Sequence, residues 1–170
     1  MRTLSLTMRE ALTAQATDKV PVTLVTLTHP TTADVVRLSS DPTVNLMDLG
    51  LSSDLRYGTL SNGEVFTHVL MTRVWPDDKE GENPSGQMTF DNVASDYVKV
   101  LRSFVVPATC NIRLVLSDAP DTVEMEFDAM ATLSATGNAS TITVDISRED
   151  YTHWPWPCHR MTKDRFPGQH

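Results

Sequence analysis

The sequence is poor in the residues that mark several common protein classes. It has only 2 cysteines in 170 residues, too few for a disulfide framework. No apolar run approaches the ~18 residues that a membrane-spanning helix needs. The first eight residues lack the apolar core and cleavage site of a signal peptide. We therefore expect one domain with a single core, made in the cytoplasm and not inserted in a membrane.

Basic side chains are also scarce. The chain carries 14 Lys and Arg against 22 Asp and Glu, a formal charge of −8. A surface that binds phosphates needs a basic stripe, so this charge argues against a nucleic-acid-binding protein. It suits a soluble protein, or one that must not retain nucleic acid passing nearby.

Motifs for catalysis and cofactor binding are missing. The sequence has no Gly-rich phosphate loop, no Cys-x-x-Cys pair and no Gly-x-Ser-x-Gly. His153, Cys158 and His159 are its only cluster of metal-type side chains, and a closed zinc site would need a fourth ligand from elsewhere. We predict no catalytic residue, no cofactor and no metal site, and hence a protein that is not an enzyme.

What the chain does have is alternation typical of β-strands. Residues 110–116, 122–134 and 141–146 alternate apolar and polar, which predicts three successive antiparallel strands. In the middle strand, Ala129 and Leu133 belong to the predicted buried face and Met130 to the wet one. Earlier strands are expected at 20–28, 34–39 and 87–90. The carboxylates of the middle strand fall on the wet face and favour a solvated surface over a cation site: Glu124, Glu126 and Asp128.

Asn62-Gly63 predicts a type I′ turn, because both residues tolerate positive φ. This turn would join residues 56–60 to one long strand at 65–75. Because that strand is apolar on both faces, we expect it to be central or at an interface. Its apolar side chains are Phe66, Leu70 and Val74 on one face and Val69 and Met71 on the other.

Two helices are predicted. Thr7-Met-Arg-Glu10 has the spacing of a capping box, which places a short helix at about 8–16. Apolar residues spaced like one helix face predict a second helix at 93–104, packed on the sheet. Between the long strand and that helix, residues 76–86 form an acidic segment that predicts a polar loop, either mobile or functional.

Residues 151–170 differ in composition from everything before them. They hold two of the three tryptophans, and Pro155, Pro157 and Pro167 exclude a long helix or an inner strand. Trp, Phe and Arg are typical of interface cores. We therefore divide the chain into a β-rich domain, 1–150, and a docking arm, 151–170. The alternative, that the arm covers its own domain, stays open.

Three segments resemble a family of small tail-module proteins of long-tailed bacteriophages, known only as a domain of unknown function. They are Thr26-Leu-Thr-His-Pro30 with Val36-Arg-Leu-Ser-Ser40, then Val115–Val123, and finally Met161-Thr-Lys-Asp-Arg-Phe-Pro-Gly168. The last, a basic residue followed by Phe-Pro-Gly, is the most specific. The family is distantly similar to the N-terminal part of the lambda-type tail tip protein. The cysteines that bind an iron–sulfur cluster there are missing here, so no cluster is implied.

The resemblance implies a mainly β (α+β) fold, an antiparallel β-barrel or sandwich of the phage tail-protein type. It implies a structural part of the virion tail tip, a hub or adaptor that joins the tail tube to the distal tip by ring assembly. The expected partners are copies of the chain in a trimer or hexamer, the tail tube or distal tail protein, and the tip fibre protein, with DNA passing the lumen without specific binding. The candidate contact residues are Trp154, Trp156, Arg165, Phe166 and Pro167 in the arm, with Val69 and Met71 in a ring interface.

Three alternatives remain at this point. Within the tail, the chain would instead be a distal tail protein, which forms a hexamer where a hub forms a trimer. A tail-associated hydrolase would need a nucleophile and base, or two carboxylates, placed across a cleft. A soluble binding module would use the loop at 76–86 as its recognition element.

Overall fold

The structure is a computed structural model that describes residues 4–29, 35–52, 55–76, 84–91, 108–138 and 141–148. Over these ranges the protein is mainly β with one N-terminal helix, which confirms the predicted fold class. The second predicted helix, the acidic segment at 77–83 and the whole arm lie outside the described residues. The elements in chain order are α1 (Leu6–Thr13), β1 (Pro21–Thr28), β2 (Val35–Ser39), β3 (Val44–Asn45), β4 (Tyr57–Ser61), β5 (Glu64–His68), β6 (Met71–Val74), β7 (Ser85–Asp91), β8 (Thr109–Leu116), β9 (Ala119–Gly137) and β10 (Thr141–Ser147).

The strands form one ten-stranded sheet in the order β3-β4-β5-β2-β1-β8-β9-β10-β7-β6. The three predicted successive strands, β8 to β10, are confirmed as antiparallel neighbours. All other pairings are antiparallel too, except that β2 runs parallel to β5. The sheet is therefore mixed, a feature that alternation within single strands does not encode.

The sheet curls until its two halves meet through the segment that contains β5 and β6. The Val69 amide donates to the Ser39 carbonyl of β2 at 3.0 Å. One residue later, the Leu70 carbonyl accepts from the Asp91 amide of β7 at 2.8 Å. The same stretch of chain thus bonds β2 with its first half and β7 with its second, which closes a barrel.

The barrel interior holds the main core. Side chains from opposite walls share one apolar cluster, which strands lying in a flat sheet cannot do. Trp75 packs against the cluster and stacks on Phe127 with ring centroids 5.7 Å apart. The buried members are Val25, Leu27, Val36, Leu38, Val69, Met88, Phe90, Cys110, Ile112, Phe127, Met130, Ile142, Val144 and Ile146.

A second apolar layer lies outside the barrel wall. Phe66 of β5 packs with Val22 and Leu24, on the face of β1 opposite to its interior residues, and with Val115 of β8. The tip of the β4–β5 hairpin is tied to β9, because the Ser61 hydroxyl donates to the Pro120 carbonyl at 2.7 Å. The hairpin thus explains why β1 is buried on both faces. At its tip, Asn62 and Gly63 have φ of 49° and 78°, which confirms the predicted turn.

Helix α1 closes one end of the barrel. Met8 is its one buried residue and packs with Leu114 and Leu116 of β8, where Trp75 also reaches. The helix begins two residues earlier than predicted, because Ser5 is the N-cap and its Oγ accepts from the Met8 amide at 3.1 Å. The predicted capping box at Thr7 is wrong. A serine serves as well as a threonine at this position, and tertiary contacts selected Ser5.

The long strand predicted at 65–75 is also wrong as a single strand. It breaks at Val69 and Leu70 into β5 and β6, because its two halves pair with different strands. Its faces differ as well. Phe66 is buried as expected, whereas Leu70 and Val74 are each 62% exposed.

Strand β9 departs from simple alternation because it carries three register shifts against β8 and one against β10. Glu124 is an extra residue between the pairs Leu114–Met125 and Val115–Val123. Further along, Ala129 has φ 55° and is exposed, Met130 is buried, and Leu133 is exposed, each opposite to its predicted face. A bulge moves every following side chain to the other face, and bulges provide the bending that a closed barrel needs.

Candidate assembly surface

The predicted contact residues fall into two groups. Trp154, Trp156, Arg165, Phe166 and Pro167 lie outside the described residues. Val69 is 8% exposed and belongs to the barrel core, and Met71 is half-buried against that core. Val69 therefore offers almost no surface to a partner, because its side chain already fills the interior where β5 passes into β6. Both residues thus contribute to the barrel core, Val69 as a buried member and Met71 packed against it.

A different surface is apolar and open. Between β3 and β4, the large side chains at five positions are between 47% and 65% exposed. We call this surface, residues 46–52 and 55–57, the apolar loop. Its exposed apolar side chains are Met47, Leu49, Leu51, Leu55 and Tyr57.

The apolar loop has a defined conformation. Leu46 is 2% exposed and anchors it, while the Leu46 amide donates to the Arg56 carbonyl at 2.8 Å and joins its two ends. The Leu51 amide donates back to the Leu46 carbonyl at 3.0 Å, and Gly50 takes a φ of 69° to make that turn. The Asn45 side chain bonds both the Met47 amide and Asp48. Internal bonds thus hold the apolar side chains outward, where they meet solvent.

The outer wall of the barrel carries charged pairs. Arg37 of β2 bonds Glu64 of β5 at 2.6 Å, and Arg113 of β8 bonds Glu126 of β9 at 2.6 Å. The hydrogen bond that Arg113 donates to Glu126 raises the pKa of Arg113, and desolvation together with the charge of Glu126 raises the pKa of Asp128. These pairs are partly exposed, so each contributes little to stability, roughly 0–1 kcal/mol.

Glu124 is separated from the other two carboxylates of its strand. As a bulge residue it leaves the row, and its two oxygens accept from the Ser5 amide at 2.9 Å and the Ser5 hydroxyl at 2.6 Å. The wet row predicted from Glu124, Glu126 and Asp128 is therefore not a single surface. One member fastens α1 to the barrel, and the others lie beside Arg113.

Other kinds of site find no support in the part of the chain that the structure describes. Over those residues, no group of three or more His, Cys, Asp or Glu side chains is arranged to hold a metal ion. Cys110 is a free thiol inside the core, where burial raises its pKa to about 12, so it is a poor nucleophile. No helix within the described ranges is long and apolar enough to cross a membrane.

Comparison with known proteins gave no match. No protein-family model matches the chain, and no curated protein matches it either.

Sequence reasoning missed the apolar loop, although a signal for it was present. Residues 40–64 contain Gly, Pro and Asn as an irregular connection does, yet they are also rich in leucine. Loops usually run over the surface, so a leucine-rich loop predicts either a satellite core or an exposed apolar patch. The structure distinguishes the two, because only Leu46 of this segment's leucines is fully buried.

Proposed function

We propose that this protein is a structural component of a bacteriophage virion tail tip, a hub or adaptor that joins the tail tube to the distal tip by ring assembly. The three segments that resemble the tail-module family support this assignment. A β-barrel is a suitable unit for a ring, because its strands present outer surfaces of defined shape to its neighbours.

The apolar loop carries the proposal. Monomeric proteins rarely keep several large apolar side chains side by side in water, and such patches mark contacts with other proteins. Here the internal bonds of the loop hold Leu49 and Leu51 outward, where a neighbouring subunit would cover them. Burying the exposed half of each leucine against a neighbour contributes on the order of 1 kcal/mol.

Charge supports the same arrangement. Residues 151–170 contain three of the 14 basic and one of the 22 acidic side chains, which leaves this arm at +2 and residues 1–150 at −10. A basic, aromatic arm is attracted to the acidic domain of a neighbouring copy or tail protein. An acidic ring would let DNA pass without retaining it. The expected locations are the virion tail and, during assembly, the host cytoplasm.

Location in the virion is the direct test. We expect immunogold electron microscopy, with an antibody against this chain, to label one end of the tails of phage particles produced from a genome that carries the gene. Label on capsids, or label found only on free protein in the lysate, would contradict the proposal.

The apolar loop has a test of its own. We expect the full chain to sediment as a ring oligomer, and Leu51→Glu to sediment as a smaller, folded species. Leu133→Glu is the matched control, because Leu133 is also a well-exposed leucine but lies on β9. Equal sedimentation of all three proteins would exclude the loop from the ring interface.

The arm is tested by truncation after Asp150. If Trp154, Trp156 and Phe166 anchor a partner, the truncated chain should stay folded and soluble but fail to complement a phage that lacks the gene. If the arm covers its own domain, truncation should instead lower the melting temperature or cause aggregation. Circular dichroism and plaque assays separate these outcomes, and infectious tails built by the truncated chain would contradict both.

A further inference from the structure

One edge of strand β6 has no neighbouring strand in the part of the chain that the structure describes. In an antiparallel pair, alternate residues exchange main-chain hydrogen bonds with the neighbour while the others point away from it. Leu70 bonds Asp91 of β7, so the main-chain groups of Thr72 and Val74 face β7 as well. The amides and carbonyls of Met71 and Arg73 therefore point to the opposite side.

On that side no strand within the described ranges continues the barrel wall. Val69 still bonds Ser39, but β2 ends at that residue and does not continue beside β6. Among the described residues, no backbone group pairs with the outward groups of Met71 and Arg73. An unpaired strand edge of this kind is a template for an added strand.

Arg73 lies at this edge without an acidic partner in the described ranges. Its guanidinium rests over the Trp75 ring, 5.1 Å from the centroid, and its Nε is buried without a hydrogen bond. Burial also lowers the pKa of Arg73, in agreement with a guanidinium that is partly desolvated. Arg37 and Arg113, by contrast, each bond a glutamate at 2.6 Å. A partly desolvated cation with an unbonded Nε gains from a hydrogen-bonded anion, so a carboxylate suits this position.

We propose that the β6 edge binds an extended segment of another protein that adds as a strand and places a carboxylate against Arg73. The outer face of β6 matches this partner, because Leu70 and Val74 are exposed and would contact apolar side chains of the added strand. Self-pairing of β6 between two copies would supply no carboxylate, since Met71–Val74 contains no acidic residue. The proposal does not depend on the assignment to a phage tail.

The experiment titrates the full chain, labelled with ¹⁵N, with a short capped peptide. The peptide has the sequence Thr-Thr-Val-Glu-Val-Thr-Thr, whose alternation suits an edge strand, and the control peptide carries Lys in place of Glu. We expect the Glu peptide to shift the amide signals of Met71 and Arg73. We also expect it to bind at least about tenfold more tightly than the Lys peptide, as one charged hydrogen bond would give.

Three variants and one control separate the contribution of the backbone from that of the Arg73 charge. Arg73→Met should abolish the preference for the Glu peptide, while Arg73→Lys should keep a preference and guards against a folding defect in the Met variant. Arg113→Met is the matched control, since its partner Glu126 is in the same chain, and it should bind the Glu peptide as the wild type does. Met71→Pro should weaken both peptides, because it removes an outward amide without removing a bond to β7.

Several results would overturn the proposal. Equal affinity for the two peptides would show that the β6 edge has no preference for an acidic partner. Binding that is unchanged in both Arg73→Met and Met71→Pro would place the peptide elsewhere, and no binding at millimolar peptide would show that the edge is not a docking site. Each of these results is independent of whether the protein labels phage tails.

Discussion

The attachment of α1 to the barrel depends on one side chain, and removing it should have a measurable cost. The Ser5 hydroxyl accepts from the Met8 amide at 3.1 Å and donates to Glu124 at 2.6 Å. An eight-residue helix is unstable alone, so its stability comes from this capping and from Met8. Ser5→Ala removes both hydrogen bonds of the hydroxyl in one step.

The expected loss of stability in Ser5→Ala follows from the two hydrogen bonds of the hydroxyl. Loss of a serine N-cap costs about 1 kcal/mol, and loss of a hydrogen bond to a charged group costs about 1.5–3 kcal/mol. Because the site is only half-buried, we take the lower part of that range. We expect Ser5→Ala to lower the free energy of unfolding by about 2–3 kcal/mol. Glu124→Ala should cost a similar amount, and the double variant should cost clearly less than the sum.

Urea denaturation followed by circular dichroism measures these changes as shifts of the midpoint at constant slope. Glu126→Ala is the control, because it removes a partly exposed ion pair with Arg113 of the same sheet. Loss of this ion pair should lower the free energy of unfolding by less than about 1 kcal/mol. If Ser5→Ala cost less than about 0.5 kcal/mol, or if the two single variants simply added, α1 would not be held in the way described here.

Three further predictions concern the barrel. Gly58→Ala should cost about 3 kcal/mol or more in urea unfolding, because an added Cβ would lie 2.0 Å from the Phe66 carbonyl oxygen, which the β4–β5 pairing fixes. The hydrogen bond from Ser134 lowers the pKa of Asp145, so its stabilising effect is present above pH ~4 and lost as pH falls through the lowered value. The stability difference between wild type and Asp145→Asn, measured by urea unfolding at several pH values, should therefore shrink in acid. A difference that grew in acid would refute this. Cys110 is buried and its pKa is raised to about 12. At most one of the 2 thiols of the native chain should therefore react with a thiol reagent at pH 8, and the Cys110 thiol should react only after unfolding.

Much of the strand content was determined by the sequence alone. Alternation along 110–116 and 141–146 placed β8 and β10, and a β-branched run placed β1, because burial on one or both faces of a strand leaves a local pattern. Asn62-Gly63 placed its hairpin, because positive φ at two consecutive residues suits few other side chains. These features need only a few neighbouring residues to be specified.

The tertiary structure decided what depends on partners distant in the chain. The segment at 65–75 splits because its first half pairs with β2, which then ends, and its second half pairs with β7. The residues of the segment do not encode either partner. Ser5 rather than Thr7 caps α1 because the bulge at Glu124 brings a carboxylate to Ser5. Ala129 takes a positive φ although it is not a glycine, because closing the barrel requires a bend at that register. The sequence therefore contains no local signal for this bend. The open edge at Met71 and Arg73 likewise exists only once β2 has ended, so alternation within β6 gave no sign of it. Local pattern therefore specified the strands, whereas closure of the barrel specified which surfaces remain available to a partner.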